Sequence, residues 1–168
     1  MPVFNNILET IGNTPMVSIN KITPGNGARI SAKLEGVNPG GSIKDRVGLK
    51  MIEQAEQDGS LTRDKIIIEA SSGNTGIALA MVGAIKGYAV EIAMSEAVSE
   101  ERRKIISAFG AKLILTDPGQ GTDGAIIRVR ELVKQEAGKY FCPDQFSNKY
   151  NCAAHYQRTA KEIWDQTG

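Results

Sequence analysis

The sequence predicts an α/β fold of three layers, αβα, in which a parallel sheet is covered by helices on both faces. Two observations carry that reading. Short β-branched or apolar runs recur at Ile66–Ala70, Ala89–Met94, Lys112–Thr116 and Tyr140–Cys142. The segments between them place apolar residues at helical spacing, such as Ile105, Ile106 and Phe109, or Ile126, Val129 and Val133, which is the period of an amphipathic helix. Strands that alternate with helices need crossover connections, so they run parallel, and ligands are expected at the carboxyl ends of the strands.

The remaining elements follow in order. Met16–Ile19 and Arg29–Glu35 nearly alternate in polarity and are separated by Thr23-Pro-Gly-Asn-Gly27, a run of turn residues, so an antiparallel pair is expected there. Asn38-Pro-Gly-Gly-Ser-Ile-Lys-Asp-Arg46 ends that pair and opens a helix whose apolar positions Val47, Met51, Ile52 and Ala55 share one face. Ser71-Ser-Gly-Asn-Thr-Gly76 joins the strand Ile66–Ala70 to an apolar helix over Ile77–Lys86. Ser99 with Glu100 and Glu101 suits a helix start, and Gly110 suits the left-handed position just past the end of that helix. Asp123 is expected to cap the next helix and Gly138 to close it as Gly110 closes its predecessor, and Tyr150–Gln166 reads as a last helix. No internal repeat or low-complexity tract interrupts this order.

The 168 residues, 41% hydrophobic and 23% charged, suffice for one core of ordinary size. Lys and Arg number 20 against 19 Asp and Glu, and a net charge of +1 offers no footprint for nucleic acid or an anionic membrane. The start, Met1–Thr10, lacks a basic segment followed by an apolar one, so a cytoplasmic protein is expected. The most apolar stretch, Ile77–Ile85, falls well short of the roughly 20 residues that span a bilayer. Cys142 and Cys152 have only one histidine, His155, to join them, so no metal set is expected and both thiols read as reduced, in or near the core. A small-molecule site is the class that remains.

Three segments can carry chemistry. Ser71–Gly76 lies where exposed main-chain N–H groups and the positive end of a helix dipole favour an anion, such as a substrate carboxylate. Lys44 falls in the first turn of its helix, where the dipole and partial burial both favour the neutral amine, the form that attacks aldehydes. Gly119-Gln-Gly-Thr-Asp-Gly124 is a literal dinucleotide fingerprint after a strand, but the only acid about 20 residues on is Asp144, beyond the next strand, so a plain loop is expected instead.

Taken together, the segments resemble the cysteine synthase family of fold-type II pyridoxal-phosphate enzymes, whose architecture is also that of the tryptophan synthase β chain. Ile11-Gly-Asn-Thr-Pro-Met-Val17 is similar to the family's opening motif, Lys33-Leu-Glu35 with Asn38–Arg46 to its lysine motif, and Ser71–Gly76 to its substrate loop. Ser99–Lys104, Phe109-Gly-Ala111, Gln145-Phe146 and Glu162-Ile-Trp164 continue the pattern at matching spacing. The resemblance implies pyridoxal 5'-phosphate as cofactor, Lys44 as its covalent anchor and catalytic base, and Asn74 against its phenolic oxygen. It further implies Ser71, Ser72, Gly73, Asn74, Thr75 and Gln145 around the substrate carboxylate. The implied reaction is β-replacement on an activated serine, O-acetylserine, with sulfide, giving cysteine and acetate, by a homodimer of the complete protein; the alternatives are a cystathionine β-synthase-like or phosphoserine-using β-replacement enzyme, whose motifs are largely the same, or an inactive fragment that binds a partner.

In that family a Gly-Thr-Gly-Gly-Thr loop holds the cofactor phosphate and a later Ser meets the pyridine nitrogen. Both fall after residue 168, so a truncated form of the fold is expected. The same resemblance divides the chain into a hairpin over 1–36 that would join a second domain, a parallel-sheet domain over 37–147, and a helix over 148–168 leading to the missing half.

Overall fold

The computed structural model describes residues 3–21, 27 and 29–168. A short antiparallel pair, β1 (Met16–Ser18) and β2 (Ser31–Lys33), precedes the helix α1 (Lys44–Gln57). The chain then alternates through β3 (Ile66–Ala70), α2 (Asn74–Lys86), β4 (Val90–Ser95), α3 (Glu100–Ala108), β5 (Lys112–Thr116), α4 (Gly121–Gln135) and β6 (Tyr140–Phe141). A helical stretch closes the chain as α5 (Lys149–Ala154), a π-turn over His155–Thr159, and α6 (Ala160–Thr167).

The second sheet is wholly parallel, in the order β5-β4-β3-β6. Its β3 and β4 are buried almost along their whole length, as strands covered on both faces must be. On one face, Ile67, Ile92 and Met94 pack with Val47, Met51 and Ile52 of α1, Leu79 and Val82 of α2, and Ile106 of α3. On the other, Ile68 and Ala93 meet Ala125 and Val129 of α4. The expected three layers are therefore present. Each fully buried Ile contributes about 1.5–3 kcal/mol relative to leaving it exposed.

The strand order locates the site. The chain builds outward from β3 through β4 to β5, then returns across α4 to place β6 on the opposite side of β3. Between β3 and β6 the direction of winding reverses, and a crevice opens there at the carboxyl ends of the two strands. Ser71–Gly76 follows one of them and Gln145 the other.

Several local expectations are corrected. Gly110 does take a left-handed φ of +82°, but Gly138 has no positive φ and lies beyond the end of α4, which is capped at Glu136. Asp123 is not a cap but lies inside the first turn of α4, which starts at Gly121. Ser99 occupies the cap position of α3 without a capping side-chain hydrogen bond. The helix after Ser71–Gly76 starts at Asn74, not at Ile77, so half of that motif is helix. Cys152 is exposed, and only Cys142 is partly buried, its thiol pushed up to about 12 by burial. Of the expected turn Thr23–Gly27, only Gly27 is among the described residues, with φ +90°.

Helix α2 lies close on the sheet because Gly83 has no side chain: a Cβ there would strike Val90 Cγ2 in β4. Gly83→Ala should therefore destabilise the chain by about 1–3 kcal/mol despite alanine's better helix propensity. Urea denaturation checks this, and a gain in stability would show that the helix can lift without cost.

Candidate active site

Lys44 is the first residue of α1 and is half-buried. The loop that delivers it is built by the same motif. Gly41 N donates to Asn38 O at 2.7 Å, and the turn needs the left-handed φ of +78° that Gly41 adopts. Gly40 N donates to Asp45 Oδ2 at 2.6 Å, and any side chain on Gly40 would strike the Asp45 carboxylate. The two glycines thus have different reasons, one of conformation and one of contact. Asp45 is fully buried, and that burial pushes its carboxyl up to about 6 against the pull of the Gly40 and Ser42 N–H groups.

Arg46, two residues on, holds this loop to the rest of the chain. Its buried guanidinium donates Nε to Glu35 Oε2 at 2.7 Å, Nη1 to Glu162 Oε1 at 2.6 Å, and Nη2 to Glu162 Oε2 at 2.7 Å, Glu35 Oε1 at 2.9 Å and Thr14 Oγ1 at 3.1 Å. Lys33 Nζ joins Glu162 Oε2 at 2.9 Å. Burial works against the Glu162 carboxylate, but hydrogen bonds from Arg46 and Lys33 outweigh it and bring the group down to about 2. Gly12, at φ +92°, lies flat over the cluster: a Cβ would come within 2.9 Å of Glu162 Oε1 and 3.0 Å of Arg46 Nη1. The opening motif at residues 11–14, the lysine motif and Glu162 of α6 therefore form one ion cluster around Arg46, two residues beyond Lys44 in the chain.

The loop after β3 is braced internally. Ser71 is buried, and its Oγ accepts from Gly76 N at 3.0 Å and Gly73 N at 3.3 Å. That leaves the N–H groups of Ser72, Asn74 and Thr75 without an acceptor among the described residues, at the N-terminus of α2. Ser72 and Gly73 are half-buried and Asn74 is exposed. Thr75 Oγ1 donates to Gln145 Oε1 at 2.6 Å, which joins the loop after β3 to the loop after β6. Ser71, Ser72, Gly73, Asn74, Thr75 and Gln145 are thus gathered at the crevice between those strands.

Lys44 reaches the same region through helix packing. α1 and α2 cross at Gly48, where a Cβ would come within 3.1 Å of Ala78 Cβ. Lys44 and Asn74 each stand one turn ahead of that contact on their own helices. His155 of the π-turn, its Nδ1 3.1 Å from Thr159 Oγ1, is shifted down by burial and then by the Lys44 charge.

Sequence reasoning missed four residues here. Arg46 was part of a motif with no role. Glu69 looked like one polar interruption in Ile66–Ala70, yet a Glu inside a doubly covered strand is itself a signal, because carboxylates are rarely buried unpaired. It is buried, and accepts from Gln145 N at 3.2 Å and Ala70 N at 3.1 Å. Arg102, one charge among several on α3, donates Nη1 to Ser72 O at 3.1 Å. No spacing rule would have brought His155 near Lys44.

The dinucleotide alternative fails on topology. Gly119–Gly124 follows β5 and Asp144 follows β6, at opposite edges of a four-stranded sheet. At about 4.8 Å per strand, those loops cannot serve one ribose-phosphate. The loop instead forms a short turn held by Asp117 Oδ1, which accepts from Gly119 N at 2.8 Å. Among the described residues no cluster of metal-ligating side chains occurs, and no helix is long and apolar enough to cross a membrane.

The chain is 55% identical over 164 residues to a cysteine synthase of Aquifex aeolicus, covering 96% of this chain and 50% of the relative. It is 48% identical over 160 residues to cysteine synthase B of Escherichia coli, covering 95% and 52%. The crystal structure of a cysteine synthase from Entamoeba histolytica superposes with a TM-score of 0.95 at 49% identity, over 99% of this chain and 50% of that one. The chain thus spans about half the length of the relatives it matches. A family model described as pyridoxal-phosphate dependent enzyme matches residues 7–168, and the chain belongs to that family.

Proposed function

We propose that the chain supplies the lysine and the carboxylate-binding half of a cysteine synthase site, for conversion of O-acetylserine and sulfide to cysteine and acetate. The observation that carries the reading is the free bank of N–H groups at Ser72, Asn74 and Thr75, tied to Gln145 and placed with Lys44 at the switch point. That donor set fits an amino-acid carboxylate, and the Lys44 amine fits the aldehyde of pyridoxal phosphate. When bound, the cofactor supplies an electron sink for a carbanion at the substrate α-carbon.

The residues then divide the work. Lys44 Nζ would hold the cofactor until the substrate amine takes its place; the amine so freed would take the α-proton as acetate leaves and return a proton once sulfide has added to the β-carbon. Asn74 holds the phenolic oxygen. The N–H groups of Ser72, Asn74 and Thr75, with the Gln145 amide, fix the substrate carboxylate against the open backbone at Gly73, so that the α-proton faces Lys44. Ser71 braces the loop from within. The same reading assigns small molecules as partners, a cytoplasmic setting, and a homodimer for the complete protein. It also assigns the hairpin and α6, linked through Lys33, Glu162 and Gln166, to a unit shared with a second domain.

Pyridoxal phosphate added to the chain should give a visible absorption band, and borohydride reduction should fix a mass increase on Lys44. In Lys44→Ala both signals should vanish. Reduction products spread over the exposed lysines, with none on Lys44, would overturn the assignment.

A further inference from the structure

We propose that Glu69 is a positioning residue, whose carboxylate holds Gln145 in place to meet the substrate carboxylate. This deepens the reading above and rests on it.

Glu69 is 3% exposed and sits near the carboxyl end of β3, immediately before the loop that binds the anion. It accepts from the main-chain N–H of Gln145 at 3.2 Å and from that of Ala70 at 3.1 Å. The segment it holds is not otherwise set by regular structure. β6 has only two residues, and Asp144 beyond it takes φ +48°, a conformation L residues seldom adopt. Asn151 Nδ2 donates to Gln145 O at 2.9 Å, so the Gln145 peptide is gripped from both ends. Its side chain, thus aimed, accepts from Thr75 Oγ1. A chain of contacts therefore runs from Glu69 through the Gln145 backbone to Thr75 in the anion loop.

The ionised carboxyl accepts both N–H groups through two charged oxygens; protonation leaves one of them a weaker acceptor and adds an O–H that needs a partner of its own. Burial raises this carboxyl to about 7, with the Gln145 and Ala70 N–H groups pulling the other way. The surrounding charged and titratable groups are Asp144 and Cys142 on the same loop, Arg130 and Lys134 on α4, and Glu91 of β4 with its Tyr140 hydrogen bond. Together with Ile126, Val129, Val133 and Phe146, some of these line a cavity of about 440 Å³ beside Glu69.

The test is nuclear magnetic resonance of the isotopically labelled chain. In the wild type the Gln145 amide signal should titrate with a midpoint near pH 7, and its hydrogen exchange should slow as the pH is brought above that midpoint once base catalysis is corrected for. In Glu69→Gln, which keeps the shape, that titration should be lost, and exchange at Gln145 should accelerate roughly tenfold. With acetate as the probe, shifts at the Ser72–Thr75 amides should need at least about fivefold more ligand in Glu69→Gln than in wild type.

A Gln145 amide that does not titrate in the wild type, or one whose exchange is unchanged in Glu69→Gln, would overturn the proposal. The wild-type titration decides even if the variant fails to fold. Failure of the wild-type loop to respond to acetate would instead count against the carboxylate assignment of Ser72–Thr75, and the Lys44 labelling experiment is independent of both.

Discussion

Arg46→Ala is expected to destabilise the chain by about 3–5 kcal/mol, the cost of removing one partner from a buried ionic cluster. For a chain of this size that lowers the melting temperature by on the order of 10 °C. The reason is not the loss of attraction alone. Without the guanidinium, Glu35 and Glu162 are left facing each other, with 15% and 13% side-chain exposure and with Lys33 as the remaining ion-pair partner among the described residues. Arg46→Lys should recover only part of the loss, because one ammonium cannot span the two carboxylates that four guanidinium hydrogen bonds now join. Adding Glu35→Gln and Glu162→Gln to Arg46→Met should recover part of the stability, since the two carboxylates no longer face each other unpaired and only Lys33, which loses Glu162, is left without its ion-pair partner, and the sum of single effects should exceed the combined one. Because Arg46 is two residues from Lys44, labelling of Lys44 by pyridoxal phosphate should fall in Arg46→Ala as well. Chemical denaturation measures the stability term, and a loss below 1 kcal/mol would show that the cluster is not what secures α1 to α6.

What could be read from sequence separates along physical lines. The strand at Ile66–Ala70 matches residue for residue and Val90–Ser95 is displaced by one, because burial on two faces writes itself as a continuous apolar run; Lys112–Thr116, an edge strand with no fully buried residue, also matches, on its short Leu-Ile-Leu run. The Lys44 helix begins within its motif, as the sequence predicts, since Gly41 takes the left-handed φ of the turn before it and Gly40 has no room for a Cβ beside Asp45. Helix ends that depend on a single side chain were less legible. Asp123 and Gly138 are good capping types, but α4 uses neither, and its N-terminus is set three residues earlier by the turn that Asp117 closes. The ion cluster was wholly illegible: Thr14, Glu35, Arg46 and Glu162 are each ordinary polar residues, and their partners lie up to 116 positions apart. Sequence periodicity reports which face an element buries, not which distant charge it meets there. The motif around Lys44 was therefore located from sequence for its chemistry, while half of its residues serve structure.

Between pH 4.5 and 7.5 the chain should lose stability as the pH rises, although many proteins gain it there. Glu69 and Asp45 set the sign. Their folded carboxyls are raised, to about 7 and about 6, from ordinary values of 4.5 and 3.8. The native state then binds more protons than the unfolded one in that interval. Stability from these groups is full below the unfolded values and is lost as pH climbs through the folded ones. At about 1.4 kcal/mol per unit, each contributes a decline on the order of 3 kcal/mol. Glu162, brought down to about 2, works in the opposite sense but at lower pH: its stabilisation is present above 4.5 and lost as pH falls towards 2. His155, shifted down, also opposes the decline by adding stability as pH rises through its ordinary value of 6.5. Melting curves should therefore peak near pH 4.5–5. Glu69→Gln should flatten the fall between pH 5 and 7.5, and Asp45→Asn the part between 4 and 6. A wild type whose melting temperature rises steadily to pH 7.5 would contradict the assignment. The physical consequence joins stability to function: holding Glu69 ionised near neutral pH weakens the fold, and that same ionised form is the one that grips Gln145 from below.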